Sequence, residues 1–497
     1  MKKIVYIPLD ERPCNYDFAH VLSLDNREFT LVRPDESLLG FKKTPAKYDA
    51  ISEFISAECK NADYLVIALD TLLYGGIIPS RLHSLTCDEI SKRLGVLSDV
   101  KKQNPTLKIF AFSLVMRCPC YSDSSEEPDY YAICGREIFL YGQNEHKHRD
   151  GMISEEEYLA TKESLGACEE YITDYVTRRE INLSVFLNMI GMIGEVIDDF
   201  VILQDDSNKL GYTAMDQERV KSAIDARGLD VLIYPGADEG GMTMLSKAIC
   251  HMMKSAPRIY PIFPSPEDAY ITPMYEDREI YKSVSSQIRS AGGIPSETEE
   301  EADILLFCNI SATKHFDIAH EMPKDYDDSY IAEFVDKMKV ALECGKGVAV
   351  ADIAYCNGGD LALTDEINKR IGLLNLWGYS GWNTSSNSLG TVICQAIFRY
   401  HFGDTETHRL FTALRIYEDV CYYADVRHDM RRIVKERFNL SYFDVGETRG
   451  AVTDTILPLL KERAAERYPE IAELYEIHNC SLPWKRIFEI RLEISKK

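Results

Sequence analysis

Two adjacent carboxylates, Asp205 and Asp206, follow an apolar run that ends at Leu203 and Gln204. The run Phe200–Leu203 has the composition of a buried strand, and α/β proteins commonly present acid chemistry at the carboxyl end of such strands. Two like charges close together raise the pKa of one of them, so that one carboxyl group can donate a proton while its neighbour stays ionised. The pair therefore predicts proton-transfer chemistry. The open alternative is that it only caps the following turn and helix.

Polar side chains also follow most of the other predicted strands. Because the carboxyl ends of parallel strands meet at one edge of a sheet, these side chains are expected to share a binding site. Carboxylates, guanidiniums and amides suit sugar hydroxyls or a hydrated divalent metal. The predicted substrate-binding residues at these strand ends are Asp10, Arg12, Asn15, Asp70, Tyr74, Arg81, Arg117, Asp238 and Glu239. Arg81 could equally form a structural salt bridge, and the pair Asp238 and Glu239 could cap the next helix.

A further motif runs from Gly381 to Asn387, with the sequence Gly-Trp-Asn-Thr-Ser-Ser-Asn. An indole flanked by amides suits stacking on a sugar face with hydrogen bonds to its rim. Trp382, Asn383 and Asn387 are therefore predicted substrate-binding residues, although Asn387 could only cap the helix that follows.

The elements that must position these residues are short apolar strands alternating with helices. Strands that are apolar on both faces, separated by helices, indicate a parallel sheet covered by helices. The predicted strands are Ile4–Leu9, Phe29–Val32, Tyr64–Leu69, Ile109–Val115, Phe200–Leu203, Val231–Tyr234, Ile304–Cys308, Val348–Ala351 and Leu373–Trp377. The main predicted helices are Ala46–Lys60, Thr86–Lys102, Ser154–Asn188, Thr213–Arg227, Thr243–Lys254, Ser329–Cys344 and Asn387–Tyr400.

We expect an α/β fold with a TIM-barrel-like parallel core, and a doubly wound layered sheet is the alternative. The polar stretch 118–150 is predicted to be an insertion that forms a lid or substrate wall. Residues 1–255 and 256–404 would form two parts of the core, and 405–497 a helical C-terminal extension.

Composition excludes several function classes. The chain has 497 residues with 56 Lys plus Arg against 80 Asp plus Glu, a net charge of −24, which repels nucleic-acid phosphates. No apolar run approaches the roughly 20 residues of a membrane span, so a soluble cytoplasmic protein is expected. The sequence contains no nucleophile-elbow serine, P-loop or dinucleotide-binding glycine motif.

The 14 cysteines are scattered, and Cys168, Cys250, Cys308 and Cys394 in apolar runs indicate buried reduced thiols. A zinc cluster is an open alternative, although its ligand spacing fits no established site. Its candidate ligands are Cys118, Cys120, Cys134, His146 and His148. His315 and His320 lack the glutamate pattern of metalloproteases.

Several of these motifs together resemble a bacterial family of unknown function, DUF4127. The resemblance runs from Ile4 to about Tyr400, and Asn182, after Arg178 and Arg179, also fits the family pattern. The motifs are Pro8 to Asn15, Asp70 with Tyr74 to Gly76 and Arg81, Gln204 to Asp206, Tyr234 to Glu239, and Gly381 to Asn387. The resemblance implies membership and site residues, not a reaction.

The Asp-Asp pair is also locally similar to substrate-assisted β-N-acetylglucosaminidases. That similarity implies that Asp205 orients a 2-acetamido group, that Asp206 is the general acid/base, and that Trp382 and Asn383 line the sugar pocket. We therefore expect a glycoside hydrolase acting on a small sugar derivative, without an organic cofactor and without nucleic-acid or membrane partners. Two alternatives remain open: a divalent-metal hydrolase with Asp10, Asp70 and Asp205 as ligands, and a non-enzymatic sugar-binding protein.

Overall fold

The computed structural model describes residues 1–310 and 329–497, and these form two compact units. The first unit comprises Met1–Glu11, Asn26–Met244 and Tyr275–Asp277. The second comprises Arg12–Asp25, Leu245–Met274 and Arg278–Lys497. Each unit is built on its own parallel β-sheet, and each is described by itself.

The first unit contains six parallel strands in the order β2-β1-β3-β4-β5-β6. The strands are β1 (Lys2–Ile7), β2 (Phe29–Val32), β3 (Tyr64–Ala68), β4 (Lys108–Val115), β5 (Asp199–Gln204) and β6 (Leu232–Pro235). The inner strands are apolar on both faces because helices cover both sides of the sheet. The helices are Tyr48–Glu58, Leu69–Leu73, Pro79–Leu82, Cys87–Gln103, Tyr131–Arg149, Glu155–Ser164, Glu169–Ile190 and Tyr212–Ala226. Gly240–Met253 begins in this unit and ends in the second.

The second unit contains five parallel strands in the order β11-β10-β9-β7-β8. They are β7 (Arg258–Ile262), β8 (Ile294–Pro295), β9 (Ile304–Asn309), β10 (Gly347–Asp352) and β11 (Gly378–Ser380). Its α-helices are Pro13–Tyr16, Phe18–Ser23, Ile280–Ser290, Tyr330–Glu343, Leu361–Arg370, Ser385–Phe402, Glu406–Arg415, Arg427–Phe438, Ala451–Arg467 and Pro469–Leu474. A π-helix spans Ile416–Val426, and β12 (Tyr475–Ser481) pairs antiparallel with β13 (Arg491–Lys496).

Both sheets place their first five strands in the same relative order, 2-1-3-4-5. This is the order of a doubly wound fold, in which the connections change direction between the first and third strands. The predicted parallel α/β class is thus confirmed. Within the described residues both parallel sheets are open and no closed barrel is found, so the TIM-barrel-like core is not confirmed.

The connection between β4 and β5 holds three helices and carries the predicted insertion. Its helix Tyr131–Arg149 is joined to the start of the helix Glu169–Ile190 by a disulfide between Cys134 and Cys168. The prediction that Cys168 is a reduced thiol was therefore wrong, and Cys134 is not available for the predicted zinc cluster. The disulfide lies in a buried apolar cluster with Tyr131 and Tyr175, so the insertion has a small core of its own.

Within the described ranges, no helix combines the length and the apolar character that a membrane span needs.

At the carboxyl edge of the second sheet, Asp352 is a fully buried acceptor of three hydrogen bonds. Asn309 Nδ2 donates to its Oδ1 at 2.8 Å, and the Tyr379 hydroxyl and the Asp360 amide donate to its Oδ2 at 2.8 and 2.7 Å. Burial, together with the neighbouring Asp360, raises the pKa of Asp352 to about 7, against the opposing effect of its hydrogen bonds. The carboxyl group therefore joins β9, β10 and β11 through one side chain.

We expect Asp352→Asn to lower the free energy of unfolding by about 1–3 kcal/mol at pH 6. The protonated carboxyl group carries one hydrogen, whereas the amide NH2 carries two, so at least one of them would face a donor. The folded-state pKa lies above that of the unfolded chain, so stability from this carboxyl is lost as pH rises through about 7. The cost should accordingly be smaller at pH 8, as measured by chemical denaturation. Asp336→Asn, at an exposed carboxylate paired with Arg370, is the control. Equal stability of Asp352→Asn and the wild type at pH 6 would contradict the prediction.

Candidate functional site

Asp205 and Asp206 lie directly after β5, at the carboxyl edge of the first sheet. Asp206 has φ +37°, a left-handed conformation that residues other than glycine rarely adopt. Such backbone conformations persist only where the surrounding structure fixes them, and they cluster at functional sites. The chain therefore turns sharply at the second carboxylate.

Each carboxylate of the pair is held by one arginine. Arg81 Nη2 lies 2.5 Å from Asp205 Oδ2, and Arg117 Nη1 lies 2.8 Å from Asp206 Oδ2. These are the only hydrogen bonds that either carboxylate makes within residues 1–310 and 329–497. One oxygen of each carboxylate is thus fixed by a guanidinium, and the second oxygen has no protein partner in that part of the chain.

The insertion supplies two further carboxylates to the same arginines. Glu127 Oε1 accepts hydrogen bonds from Arg117 Nε at 2.8 Å and from Arg81 Nη1 at 3.2 Å. Glu126 Oε2 lies 3.0 Å from Arg117 Nη2 and 3.6 Å from Arg81 Nη1. Two guanidiniums therefore face four carboxylates, and this ion-pair network has an excess of negative charge.

Burial and charge together shift the pKa of Asp206. Burial raises the pKa of Asp206 to about 6, Arg117 opposes this shift, and Asp205 adds to it. The side chains of Asp205 and Asp206 are 13% and 23% exposed, whereas that of Arg81 is only 2% exposed. Asp205 and Asp206, with Glu126 at 17%, are therefore the solvent-facing members of the network, whereas Glu127 is fully buried.

The residues Asp70, Tyr74 and Asn182 lie behind Arg81. Asn182 Nδ2 donates to the Ser80 carbonyl at 2.9 Å, and Asn182 Oδ1 lies 2.7 Å from His83 Nε2. The Tyr74 ring stacks on the His83 ring with centroids 4.8 Å apart. These contacts fix both ends of the short helix Pro79–Leu82 that carries Arg81.

Asp70 follows β3 and is tied to β4. Its Oδ2 accepts hydrogen bonds from Ser113 Oγ at 2.8 Å and Leu114 N at 3.1 Å. Burial raises the pKa of Asp70 to about 7. Asp10, which follows β1, is also buried, and β1 and β3 flank the point where the strand order reverses, where open α/β sheets commonly bind ligands.

Asp238 and Glu239 precede the helix Gly240–Met253 and are both buried. Glu239 Oε2 accepts a hydrogen bond from Ala237 N at 2.8 Å, so this carboxylate stabilises the turn before the helix. The amide of Ala237 lies before the helix, so this contact leaves both the substrate-binding and the capping interpretations of the pair open.

The remaining predicted site residues belong to the second unit: Arg12, Asn15, Trp382, Asn383 and Asn387. Trp382 is buried, its Nε1 lies 3.3 Å from Thr391 Oγ1, and its ring packs edge-on against Phe18. Asn383 accepts a hydrogen bond from Thr384 N at 2.8 Å. The Arg12 guanidinium lies 4.3 Å from the Trp484 ring centroid. The indole of Trp382 is thus part of the packing of the second unit.

Sequence reasoning did not single out the residues that bracket the Asp pair. Tyr275 O accepts a hydrogen bond from Ser207 N at 3.1 Å, and Asp277 Oδ2 accepts one from Gln204 Nε2 at 3.2 Å. About seventy residues separate these partners along the chain, and no local pattern indicates their pairing. Glu126 and Glu127 did carry a signal, because they lie in the polar insertion.

Only one group of three potential metal ligands is found in the described residues: His146, Asp150 and Glu218. His146 Nδ1 accepts a hydrogen bond from Gly211 N, so the neutral ring carries its proton on Nε2, which faces the two carboxylates. Arg149 already pairs with both carboxylates at 2.7 Å. The three side chains and Arg149 therefore form one ion-pair cluster.

In the described ranges the ligand oxygens of Asp10, Asp70 and Asp205 form no such group, and His148 Nε2 lies 2.7 Å from Glu155 Oε2. His315 and His320 lie outside the described residues.

A comparison with known protein families identifies the family of this chain. The model of a family described as "Protein of unknown function (DUF4127)" matches residues 4–493, and the chain therefore belongs to that family. No curated protein matches the chain.

Proposed function

We propose that this member of the DUF4127 family is a glycoside hydrolase that acts on a small sugar derivative. In this proposal Asp206 is the general acid, and Asp205 stabilises charge or orients the substrate. The observation that carries the proposal is the tethering of each carboxylate through one oxygen. A fixed carboxyl group with one unengaged oxygen is the arrangement that proton transfer to a bound substrate requires.

Asp206 would donate its proton to the oxygen of the leaving group as the glycosidic bond breaks. The new bond to the anomeric carbon would come from water or, in a 2-acetamido sugar, first from the acetamido oxygen and then from water. Its raised pKa, about 6, keeps a substantial fraction protonated in mildly acidic solution. Asp205 would stabilise the positive charge that develops on the sugar ring, or orient a 2-acetamido group. Arg117 keeps the Asp206 carboxyl group in place, which reduces the entropy lost on reaching the reactive geometry.

The charge of the site restricts the substrate. Four carboxylates against two guanidiniums leave a formal charge of −2, or −1 when Asp206 is protonated. Such a site repels phosphorylated and carboxylated sugars and accepts neutral or cationic ones. Neutral glycosides, including those with a 2-acetamido group, are therefore the first substrates to test.

The test is a screen of neutral aryl glycosides, with and without a 2-acetamido group, against a matched aryl sugar phosphate. We expect turnover of at least one neutral glycoside and none of the phosphate. Since the general acid must be protonated, kcat should fall about tenfold per pH unit above pH ~6. Absence of turnover on every neutral glycoside between pH 4 and 8 would refute the proposal.

A further inference from the structure

Among the described residues, Glu127 is the one carboxylate that accepts hydrogen bonds from both Arg81 and Arg117. It is fully buried, and Oε1 alone accepts from Arg117 Nε and from Arg81 Nη1. Its Oε2 is also buried and has no hydrogen-bond partner within residues 1–310 and 329–497. A buried carboxylate in this position fixes two guanidiniums at once.

The two arginines connect Glu127 to the Asp pair along parallel paths. Arg81 contacts Glu127 with Nη1 and Asp205 with Nη2, and Arg117 contacts Glu127 with Nε and Asp206 with Nη1. A planar guanidinium held on one edge presents its other edge in a fixed direction. Glu127 therefore determines where both guanidiniums meet the Asp pair.

We propose that Glu127 is a positioning residue that sets the orientation and the proton affinity of the Asp pair through Arg81 and Arg117. The catalytic part of this inference rests on the proposed function. The effect of Glu127 on the proton affinity of Asp206 can be measured whether or not the protein turns over a glycoside. The insertion 118–150 thereby supplies a residue that fixes Arg81 and Arg117, in addition to any role as a substrate wall.

The electrostatic direction follows from the charges around Asp206. Arg117 and Arg81 lower its pKa, whereas Asp205 and Glu126 raise it. The negative charge of Glu127 partly neutralises both guanidiniums and so weakens their stabilisation of ionised Asp206. Desolvation raises the pKa values of four other groups, which Glu127 raises further: Cys118, Tyr121, Tyr131 and Tyr175.

The variant Glu127→Gln separates charge from geometry. Its amide oxygen can still accept from both arginines, and its NH2 group replaces the oxygen that has no partner in the described residues. Only the negative charge is lost, so the full positive charge of both guanidiniums stabilises the ionised forms of Asp206 and Asp205. We expect the pKa of Asp206 to fall by about one unit.

The experiment titrates the full-length wild type, Glu127→Gln and Asp129→Asn with pH and follows the Asp206 carboxyl band by infrared spectroscopy. That band is identified as the one that is missing from the spectrum of Asp206→Asn. Asp129 lies in the same segment but is 97% exposed and pairs with Lys43, so its variant should titrate like the wild type. An unchanged Asp206 titration in folded Glu127→Gln would overturn the inference. A shifted titration without glycoside turnover would support it and refute only the proposed function.

If Glu127→Gln does not fold, Glu127→Asp provides the second test. It keeps the charge but withdraws the carboxylate by one methylene, so each guanidinium is less neutralised. We expect a downward shift in the same titration that is smaller than one unit. No shift or an upward shift would overturn the inference.

Discussion

Replacement of Asp206 by asparagine should lower kcat at pH 5.5 by about 10²–10⁴-fold, the usual contribution of a general acid. Asparagine can still accept the hydrogen bond from Arg117 through its amide oxygen, so the side chain stays in place. What it cannot do is release a proton to the leaving group. We therefore expect KM to change little, and kcat and KM on the best aryl glycoside measure the effect.

A matched variant tests whether that loss is specific. Asp225 is an exposed acid on the helix Tyr212–Ala226, where it pairs with Lys221, and Asp225→Asn should retain wild-type kcat. Wild-type kcat in Asp206→Asn would show that Asp206 is not the acid. Stabilisation of the wild type by a sugar, without turnover of its aryl glycoside, would instead support a binding protein and refute the hydrolase.

The six strands of the first sheet, and β9 and β10 of the second, could be predicted because buried parallel strands are apolar on both faces, whereas β7 and β8 were not predicted. Tyr64–Leu69 was predicted and β3 spans Tyr64–Ala68, within one residue. The same pattern does not distinguish an open sheet from a closed barrel, because closure depends on pairing between distant strands. The sheet class therefore followed from local composition, whereas the strand order did not.

The strand β11 shows a second limit of local pattern. The apolar run Leu373–Trp377 was predicted to be this strand, but it contains a 3₁₀ turn at Leu373–Asn375, and β11 follows at Gly378–Ser380. A Cβ on Gly378 would lie 2.8 Å from the Val392 carbonyl oxygen, so the close approach of the helix Ser385–Phe402 requires glycine here. Glycine is depleted in strands, so strand propensity did not indicate a strand at Gly378, where the packing requires glycine.

The candidate site also contains residues that could be predicted from the sequence and residues that could not. Arg81 and Arg117 were named from their positions after β3 and β4, and the structure brings both to the Asp pair. Glu127 was not named, because the path of an insertion that returns to the sheet depends on its tertiary packing. Spacing likewise gave no indication of the disulfide between Cys134 and Cys168.

In the second unit, replacement of Arg415 by methionine should be strongly destabilising. Arg415 is fully buried, pairs with Glu418 and with Asp419 at 2.8 Å, and its guanidinium lies 3.8 Å from the Phe18 ring centroid. Methionine fills similar space but leaves two buried carboxyl groups without their cation. Removal of one partner of a buried ion pair costs about 3–5 kcal/mol, measured at pH 8 by chemical denaturation.

The pH dependence of that loss identifies its cause. Even beside Arg415, burial raises the pKa of Glu418 to about 7 and that of Asp419 to about 6. Without the cation both pKa values rise further, so the folded variant holds two protons that its unfolded chain releases above pH ~5. Its free energy of unfolding should then fall by up to about 2.7 kcal/mol per pH unit near pH 7, more steeply than that of the wild type.

Arg432→Met, at an exposed pair with Glu436, is the control. It should lower the free energy of unfolding by less than about 1 kcal/mol, with no such dependence on pH. A pH-independent loss in Arg415→Met would assign the effect to packing against Phe18 instead of the uncompensated carboxyl groups.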